Sequence, residues 1–250
     1  MISLPKKIYY KLKNIYESKW IQTNKLFLFL CGKFSDKDQL TAYAKFYKTD
    51  KINQNHSFAG KNYLDIYNQY FSPLRSQQLT LLEIGIREGA SLRTFRDYFS
   101  NGTVLGLDIN PETEFTEKRI KSYIGSQSST ELIDKIFNEH PKINIVIDDG
   151  SHINELTLAS FKLIFNRLER GGLYILEDLL CTYLEDELQS GIEKGGWPGM
   201  HLNDPNLEIV NRRVDMDVFF QQIIKDLDSS KGEIEFIHFW NQTCVIKKVD

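Results

Sequence analysis

Two short apolar runs end abruptly in carboxylates: Ile145-Val-Ile-Asp148-Asp149-Gly-Ser-His152 and Leu173-Tyr-Ile-Leu-Glu177-Asp178-Leu, with Glu177 28 positions after Asp149. Each run has the length and composition of a buried strand. Between them lies one helix-length segment, 154–168, with Phe161, Ile164, Phe165 and Leu168 at helical spacing, closed by Arg170-Gly171-Gly172. Strand, helix, strand over about thirty residues is a βαβ unit, and its right-handed crossover makes the two strands parallel. Neighbouring strands lie about 4.8 Å apart, which would bring Asp149, Glu177 and Asp178 into one small volume. Three carboxylates share such a volume at low cost only with a cation. Asp149, Glu177 and Asp178 are therefore candidate metal ligands. Asp148, one residue off the binding face, reads as structural, with a place on the cofactor side as its functional alternative.

The alternation extends in both directions. Strands are expected at 80–86, 103–109 and around Tyr123-Ile124-Gly125, and helices at 91–99, 130–139 and 216–227, with Ser91 as an N-cap. Two closing strands, 234–239 and 243–247, are joined by the short Trp240-Asn241-Gln242 link, which makes them an antiparallel hairpin. The expectation is an α/β fold: a doubly wound, mostly parallel seven-stranded sheet with helices on both faces, ending in that hairpin. Ligands of such sheets bind beyond the carboxyl ends of the strands.

The first of those ends is Glu83-Ile-Gly85-Ile-Arg-Glu-Gly89-Ala-Ser91, where glycines let the backbone turn tightly and approach a ligand. Asp108 ends the next strand, where a carboxylate can accept the hydroxyls of a ribose. Ser126 and Gln127, ending the third strand, are placed to flank an adenine. The full GxGxxG fingerprint is absent, since position 87 is Arg and position 90 is Ala. Without that pyrophosphate cradle, S-adenosylmethionine fits the end better than NAD. The cofactor-side candidates are Glu83, Gly85, Gly89, Ser91, Asp108, Ser126, Gln127 and Asp148.

A chain of 250 residues, 41% hydrophobic and 26% charged, suits one large α/β domain, expected at 43–250, with a helical extension at 1–42. A net charge of −3 gives no reason to expect nucleic acid as partner. The three cysteines, Cys31, Cys181 and Cys244, are widely spaced and read as reduced thiols of a cytoplasmic protein. No apolar stretch approaches the roughly 20 residues that span a bilayer. Residues 1–26 carry six lysines against Glu17, interleaved with Ile8, Tyr9, Tyr10, Leu12, Ile15, Tyr16 and Trp20. Such a basic amphipathic helix either packs on the main domain or a second subunit, in which case a homo-oligomer is expected, or lies on an anionic membrane. The glycine-rich 185–205 segment, with Trp197, is either a loop over the acceptor or a plain surface excursion.

Taken together, Leu82-Glu83-Ile-Gly85…Gly89-Ala-Ser91-Leu92, Gly106-Leu-Asp108-Ile, Gly125-Ser-Gln127, Ile147-Asp-Asp149-Gly-Ser-His152 and Gly171-Gly-Leu-Tyr-Ile-Leu-Glu177-Asp178-Leu resemble the metal-dependent sugar O-methyltransferases. That family includes enzymes methylating deoxysugars on macrolide antibiotics and is related to the cephalosporin-hydroxylase group. Phe46-Tyr47-Lys48-Thr49-Asp50-Lys51 is similar to the family's Tyr-Gly-Thr-Asp-Lys segment, with Lys48 where the family has glycine. Lys61-Asn62-Tyr63 stands where it has His-x-Tyr, and Ile237-His238-Phe239-Trp240 resembles its final strand. The resemblance runs from about residue 43 to the carboxyl terminus. It implies a Rossmann-like methyltransferase fold, S-adenosylmethionine as methyl donor, a divalent metal on Asp149, Glu177 and Asp178, and His152 as catalytic base.

Hard carboxylate ligands suit Mg²⁺ or Mn²⁺. Such an ion, with Asp149 among its ligands, would make a sugar hydroxyl a better nucleophile, and His152, three residues on, would take the proton. The expected acceptor is the hydroxyl of a nucleotide-activated hexose or heptose for bacterial capsule or other surface polysaccharide. The alternatives are an antibiotic glycoside or small diol, and a catalytically silent scaffold domain.

Overall fold

The computed structural model of the protein describes residues 36–52, 62–184 and 211–250. The described residues open with helices α1 (Asp36–Tyr47) and α2 (Tyr63–Phe71), separated among them by a single turn of 3₁₀ helix, Asp50–Ile52. It then alternates: β1 (Thr80–Ile84), α3 (Ala90–Tyr98), β2 (Thr103–Asp108), β3 (Thr116–Glu117), β4 (Ile120–Ile124), α4 (Thr130–Glu139), β5 (Ile145–Asp148), α5 (Asn154–Ile164) and β6 (Leu173–Leu176). A long helix α6 (Arg213–Asp228) precedes the hairpin of β7 (Ile234–Trp240) and β8 (Thr243–Lys248). The eight strands form one sheet in the order β3-β4-β2-β1-β5-β6-β8-β7. The central five are parallel, while β3 and the closing pair β8 and β7 run antiparallel to their neighbours. Strand order runs outward from β1 and β5 in opposite directions, so the crevice of the fold opens at their carboxyl ends.

The period of two along each strand divides the molecule. Leu81, Ile145, Ile147, Leu173, Ile175 and Val245 face one core, closed by α1, α2 and α3 through Leu40, Tyr43, Tyr67, Phe71 and Phe95. Leu82, Ile84, Val146, Tyr174, Leu176 and Ile246 face the other, closed by α4, α5 and α6 through Ile133, Ile136, Phe161, Ile164 and Phe220. Helix α2 starts with a capping box, in which the Asn62 side chain accepts from Asp65 N and the Asp65 side chain accepts from Asn62 N. Tyr63, Tyr67 and Phe71, spaced by four, thus share one inward stripe.

The expected architecture holds, with local differences. The sheet has eight strands, not seven, because the two-residue β3 pairs with β4 across Lys118-Arg119, where Arg119 has a left-handed φ of 63°. So short and polar a pair carries no hydrophobic pattern. Ser91 does not cap α3: the N-cap is Gly89, with φ 71°, and Ser91 lies inside the helix. The expected boundary between residues 42 and 43 falls within α1, whose Leu40, Tyr43 and Ala44 share one core. The basic stretch 1–26 and the glycine-rich stretch 185–205 lie outside the described residues. Among the described residues no helix is long and apolar enough to cross a membrane.

Candidate active site

A cavity of about 720 Å³ opens at the carboxyl ends of β1, β2, β4 and β5, a size suited to a small-molecule ligand. Its back wall is the turn from β1 into α3. Gly85 has φ 94°, and a Cβ there would lie 2.0 Å from the carbonyl oxygen of Asp149. Only glycine lets the ends of β1 and β5 pass this closely. Gly89 turns the chain into α3, and a Cβ on it would strike the Phe115 ring at 2.5 Å. Asp108 holds this turn in place: one carboxylate oxygen accepts from Ile86 N (2.7 Å) and Arg87 N (3.2 Å), the other from Asn110 N (2.8 Å). Asp108 also lines the cavity, as do Gly85, Ser91, Ser126 and Gln127.

At one end of the cavity Asp149, His152 and Asp178 come together, each offering a ligand atom within 4.8 Å of the others. His152 Nε2 stands 3.6 Å from Asp149 Oδ1 and 3.6 Å from Asp178 Oδ2. These side chains are 26%, 12% and 22% exposed, so the cluster faces the cavity. Two of its backbones are left-handed, His152 with φ 55° and Asp178 with φ 51°. Four of the seven described non-glycine residues with positive φ, namely Lys48, Arg87, His152 and Asp178, line this one cavity. Such conformations cost energy and concentrate where a site requires them. Strand alternation alone would turn Asp178 to the α5 face; its left-handed turn carries the carboxylate back to Asp149. Tyr63 OH donates to Asp178 Oδ1 and accepts from Asp178 N at 3.2 Å, fixing that turn.

Several expected site residues stand elsewhere. Glu177 is not in the exposed cluster: its side chain is 1% exposed and takes hydrogen bonds from Lys51 Nζ (2.8 Å to each oxygen) and from Tyr67 OH. Glu83 is not on the cavity wall but fully buried, accepting from Ser91 Oγ at 2.5 Å and lying 3.2 Å from Lys51 Nζ. Gly89 likewise shapes the wall without lining it. Asp148 does not face the cofactor side; it is buried among Ser160 Oγ (2.6 Å), Tyr174 OH (2.9 Å) and Gln127 Nε2 (3.3 Å). Gln127 is a link as well as a wall, because its Oε1 accepts from Ser151 N at 2.9 Å and so steadies the loop that carries His152.

The residue missing from the sequence reading is Lys51, which was visible only as part of a family-like segment. It is 3% exposed and meets Asp149 Oδ2 at 2.5 Å besides Glu83 and Glu177. The register explains why. Glu83 lies opposite Ile147 and Ile147 opposite Ile175, so Glu83, Asp149 and Glu177 all project toward the face covered by α1 and α2. That signal was present in the period of two. Burial works against the Lys51 charge, yet Asp149, Glu177 and Glu83 outweigh it and hold the ammonium well above its ordinary pKa. Burial in turn pushes Glu83 up to about 7, against the pull of Lys51, and Glu177 likewise to about 7.

An oxygen-rich cluster opening into a cavity, with an ammonium already drawn to one of its carboxylates, fits a hard divalent cation. Asp149, Asp178 and His152 are the groups that can reach it directly, with Glu177 behind Lys51.

No family model matches the chain. It is 29% identical over 237 residues to mycinamicin VI 2''-O-methyltransferase of Micromonospora griseorubida, a match covering 88% of this chain and 55% of that protein. It is 37% identical over 128 residues to 8-demethyl-8-alpha-L-rhamnosyl tetracenomycin-C 2'-O-methyltransferase of Streptomyces olivaceus, covering 48% of this chain and 34% of that protein. Among solved structures, the MycE methyltransferase of the mycinamycin biosynthetic pathway, in complex with Mg, SAH and mycinamycin VI, aligns with a TM-score of 0.64 at 27% identity. That alignment covers 87% of this chain and 55% of the other. The chain thus spans about half the length of the curated relatives it matches.

Proposed function

We propose that the chain, similar to sugar O-methyltransferases of antibiotic pathways, methylates a sugar hydroxyl on a glycoside, using S-adenosylmethionine and Mg²⁺ or Mn²⁺. The observation that carries the proposal is the Asp149–His152–Asp178 cluster at the end of the cavity, next to the Gly85 turn. In the reaction a sugar oxygen forms a bond to the methyl carbon as its bond to sulfur breaks, and the hydroxyl proton must leave.

Asp149 and Asp178 are the proposed metal ligands, and His152 Nε2, beside both carboxylates, is the proposed acceptor of the proton. The metal supplies Lewis acidity, which eases loss of that proton near neutral pH. Asp108, Gly85, Ser126 and Gln127 shape the wall for the adenosine and amino-acid portions of the methyl donor. Tyr63 holds the Asp178 carboxylate still, so that little reorganisation remains at the moment of transfer.

The relatives' names give acceptors that carry their sugar on an antibiotic scaffold, such as a rhamnosyl tetracenomycin-C. That supports a glycoside over a nucleotide-activated hexose or heptose of a capsule pathway, which has no support among the relatives. Neither a homo-oligomer nor a membrane contact through residues 1–26 gains support from them. Incubation with S-adenosylmethionine, Mn²⁺ and two acceptor panels, rhamnosylated or deoxysugar-bearing glycosides and nucleotide sugars, separates the two readings by mass spectrometry. A gain of one methylene on a glycoside, abolished by EDTA, is the expected result. The same gain confined to a nucleotide sugar overturns the glycoside assignment, and a gain indifferent to EDTA overturns the metal. His152→Gln tests the base: full Mn²⁺ affinity with a large fall in turnover is expected, whereas lost Mn²⁺ affinity would make His152 a ligand instead.

A further inference from the structure

Asp149 divides its two oxygens between an ammonium and the cavity. Its Oδ1 faces His152 and the cavity, while its Oδ2 is held by Lys51 Nζ at 2.5 Å. The Lys51 ammonium has three protons to donate, and its hydrogen bonds go to Asp149 and to the two oxygens of Glu177. That leaves Glu83 Oε1, fully buried, in a looser ion pair with the same ammonium at 3.2 Å and in no well-formed hydrogen bond with a described residue. A buried carboxylate oxygen so weakly compensated is costly. Here it lies within reach of an ammonium that is engaged elsewhere.

We propose that Lys51 is a placeholder cation: it holds Asp149 and Glu177 in position in the metal-free protein and turns to Glu83 Oε1 when the divalent ion takes Asp149. The inference rests on the reading of Asp149 and Asp178 as metal ligands. Its physical basis is charge. Glu83, Asp149 and Glu177 meet one ammonium here, so a metal-free site lacking Lys51 would place carboxylates against one another in a low-dielectric interior. The same ammonium opposes an incoming metal, and Glu83 Oε1 gives it somewhere to go. Lys51 is thus a positioning residue that keeps the empty site folded and lowers its affinity for metal.

The test is Mn²⁺ binding by calorimetry, with thermal unfolding in EDTA and in Mn²⁺, on the full chain as wild type, Lys51→Met and Glu83→Gln. Lys51→Met is expected to melt lower than wild type in EDTA, to recover in Mn²⁺, and to bind Mn²⁺ about tenfold tighter. A merely structural lysine predicts unchanged or weaker binding, and either result overturns the proposal. Glu83→Gln weakens the landing place without touching the exposed cluster and is expected to bind Mn²⁺ more weakly. If Lys51→Met does not fold in either buffer, Glu83→Gln decides, and wild-type or tighter affinity in that variant overturns the proposal. Wild-type protein that binds no Mn²⁺ overturns the ligand assignment and this inference with it. Wild-type binding with an unaltered Lys51→Met overturns this inference alone.

Discussion

Asp148 and Asp149 are adjacent in sequence and opposite in circumstance. Asp148 ends β5 on the α5 side, 3% exposed, with Ser160, Tyr174 and Gln127 all donating to it. Asp149 turns to the other face, is 26% exposed, and shares its oxygens between Lys51 and the cavity. The first is a closed network in which the donors are neutral. The second is an open one whose donor is a charge. A carboxylate with its acceptors taken by neutral groups fixes a loop; one that meets an ammonium on one side and an open cavity on the other is available for chemistry. The one-residue step between them is the pleat of the strand.

The sharpest break of this comparison is at Asp149. Asp149→Asn removes the anion while keeping the shape, and turnover is expected to fall by about a thousandfold, the several kcal/mol a Lewis-acid site contributes. A variant that retains wild-type turnover would place Asp149 with Asp148 among the structural carboxylates. Next in size is His152→Gln, expected to cost about 10²–10⁴ in kcat, the ordinary contribution of a general base. The pH–rate profile of that variant should lose its acidic limb; an unaltered limb would remove His152 from proton transfer.

The sequence showed the strand ends and little of what stands behind them. The alternation of elements, the Gly85 turn and the Asp-Asp-Gly-Ser-His and Glu-Asp-Leu ends were legible because each is local, a short apolar run stopped by charge. The turn of Asp178 was less legible: consecutive residues after a strand point to opposite faces, and its left-handed backbone brings its carboxylate back beside Asp149, while Glu177 shares the Asp149 face behind Lys51 and Tyr67. Lys51 was out of reach for a different reason. It meets Asp149 and Glu177 across 98 and 126 residues of chain, and no pattern within a window reports such a distance. Tyr63 and Tyr67 lie in the helical part before the sheet, where a tyrosine stripe at a spacing of four reads as core packing. The left-handed backbones of His152 and Asp178 leave no trace in residue type, since neither is glycine.

On the closed side of the comparison the effects are on stability. Tyr174→Phe deletes one donor to Asp148 and one contact to Ser160, and is expected to lower the unfolding free energy in urea by about 1–3 kcal/mol. Turnover per folded molecule should not change, because the cavity and its cations are untouched. A fall in turnover with no loss of stability would show that the Asp148 network also serves the reaction.

The smallest effect is a slope against pH. Burial raises the Glu83 carboxyl from 4.5 to about 7, with Lys51 pulling the other way. The folded protein therefore keeps this proton to higher pH than the unfolded chain does. Stability from this group is fully present below the unfolded value, and it is lost as pH rises from about 4.5 to about 7. Above that window both states are ionised and the slope vanishes. Glu177, also raised to about 7 by burial, contributes with the same sign. In EDTA, the melting temperature of Glu83→Gln measured across this window should decline less steeply than that of wild type, the remaining slope being that of Glu177 and other groups. Comparing the two proteins cancels the groups they share, so equal slopes would mean that Glu83 titrates alike in the folded and unfolded states.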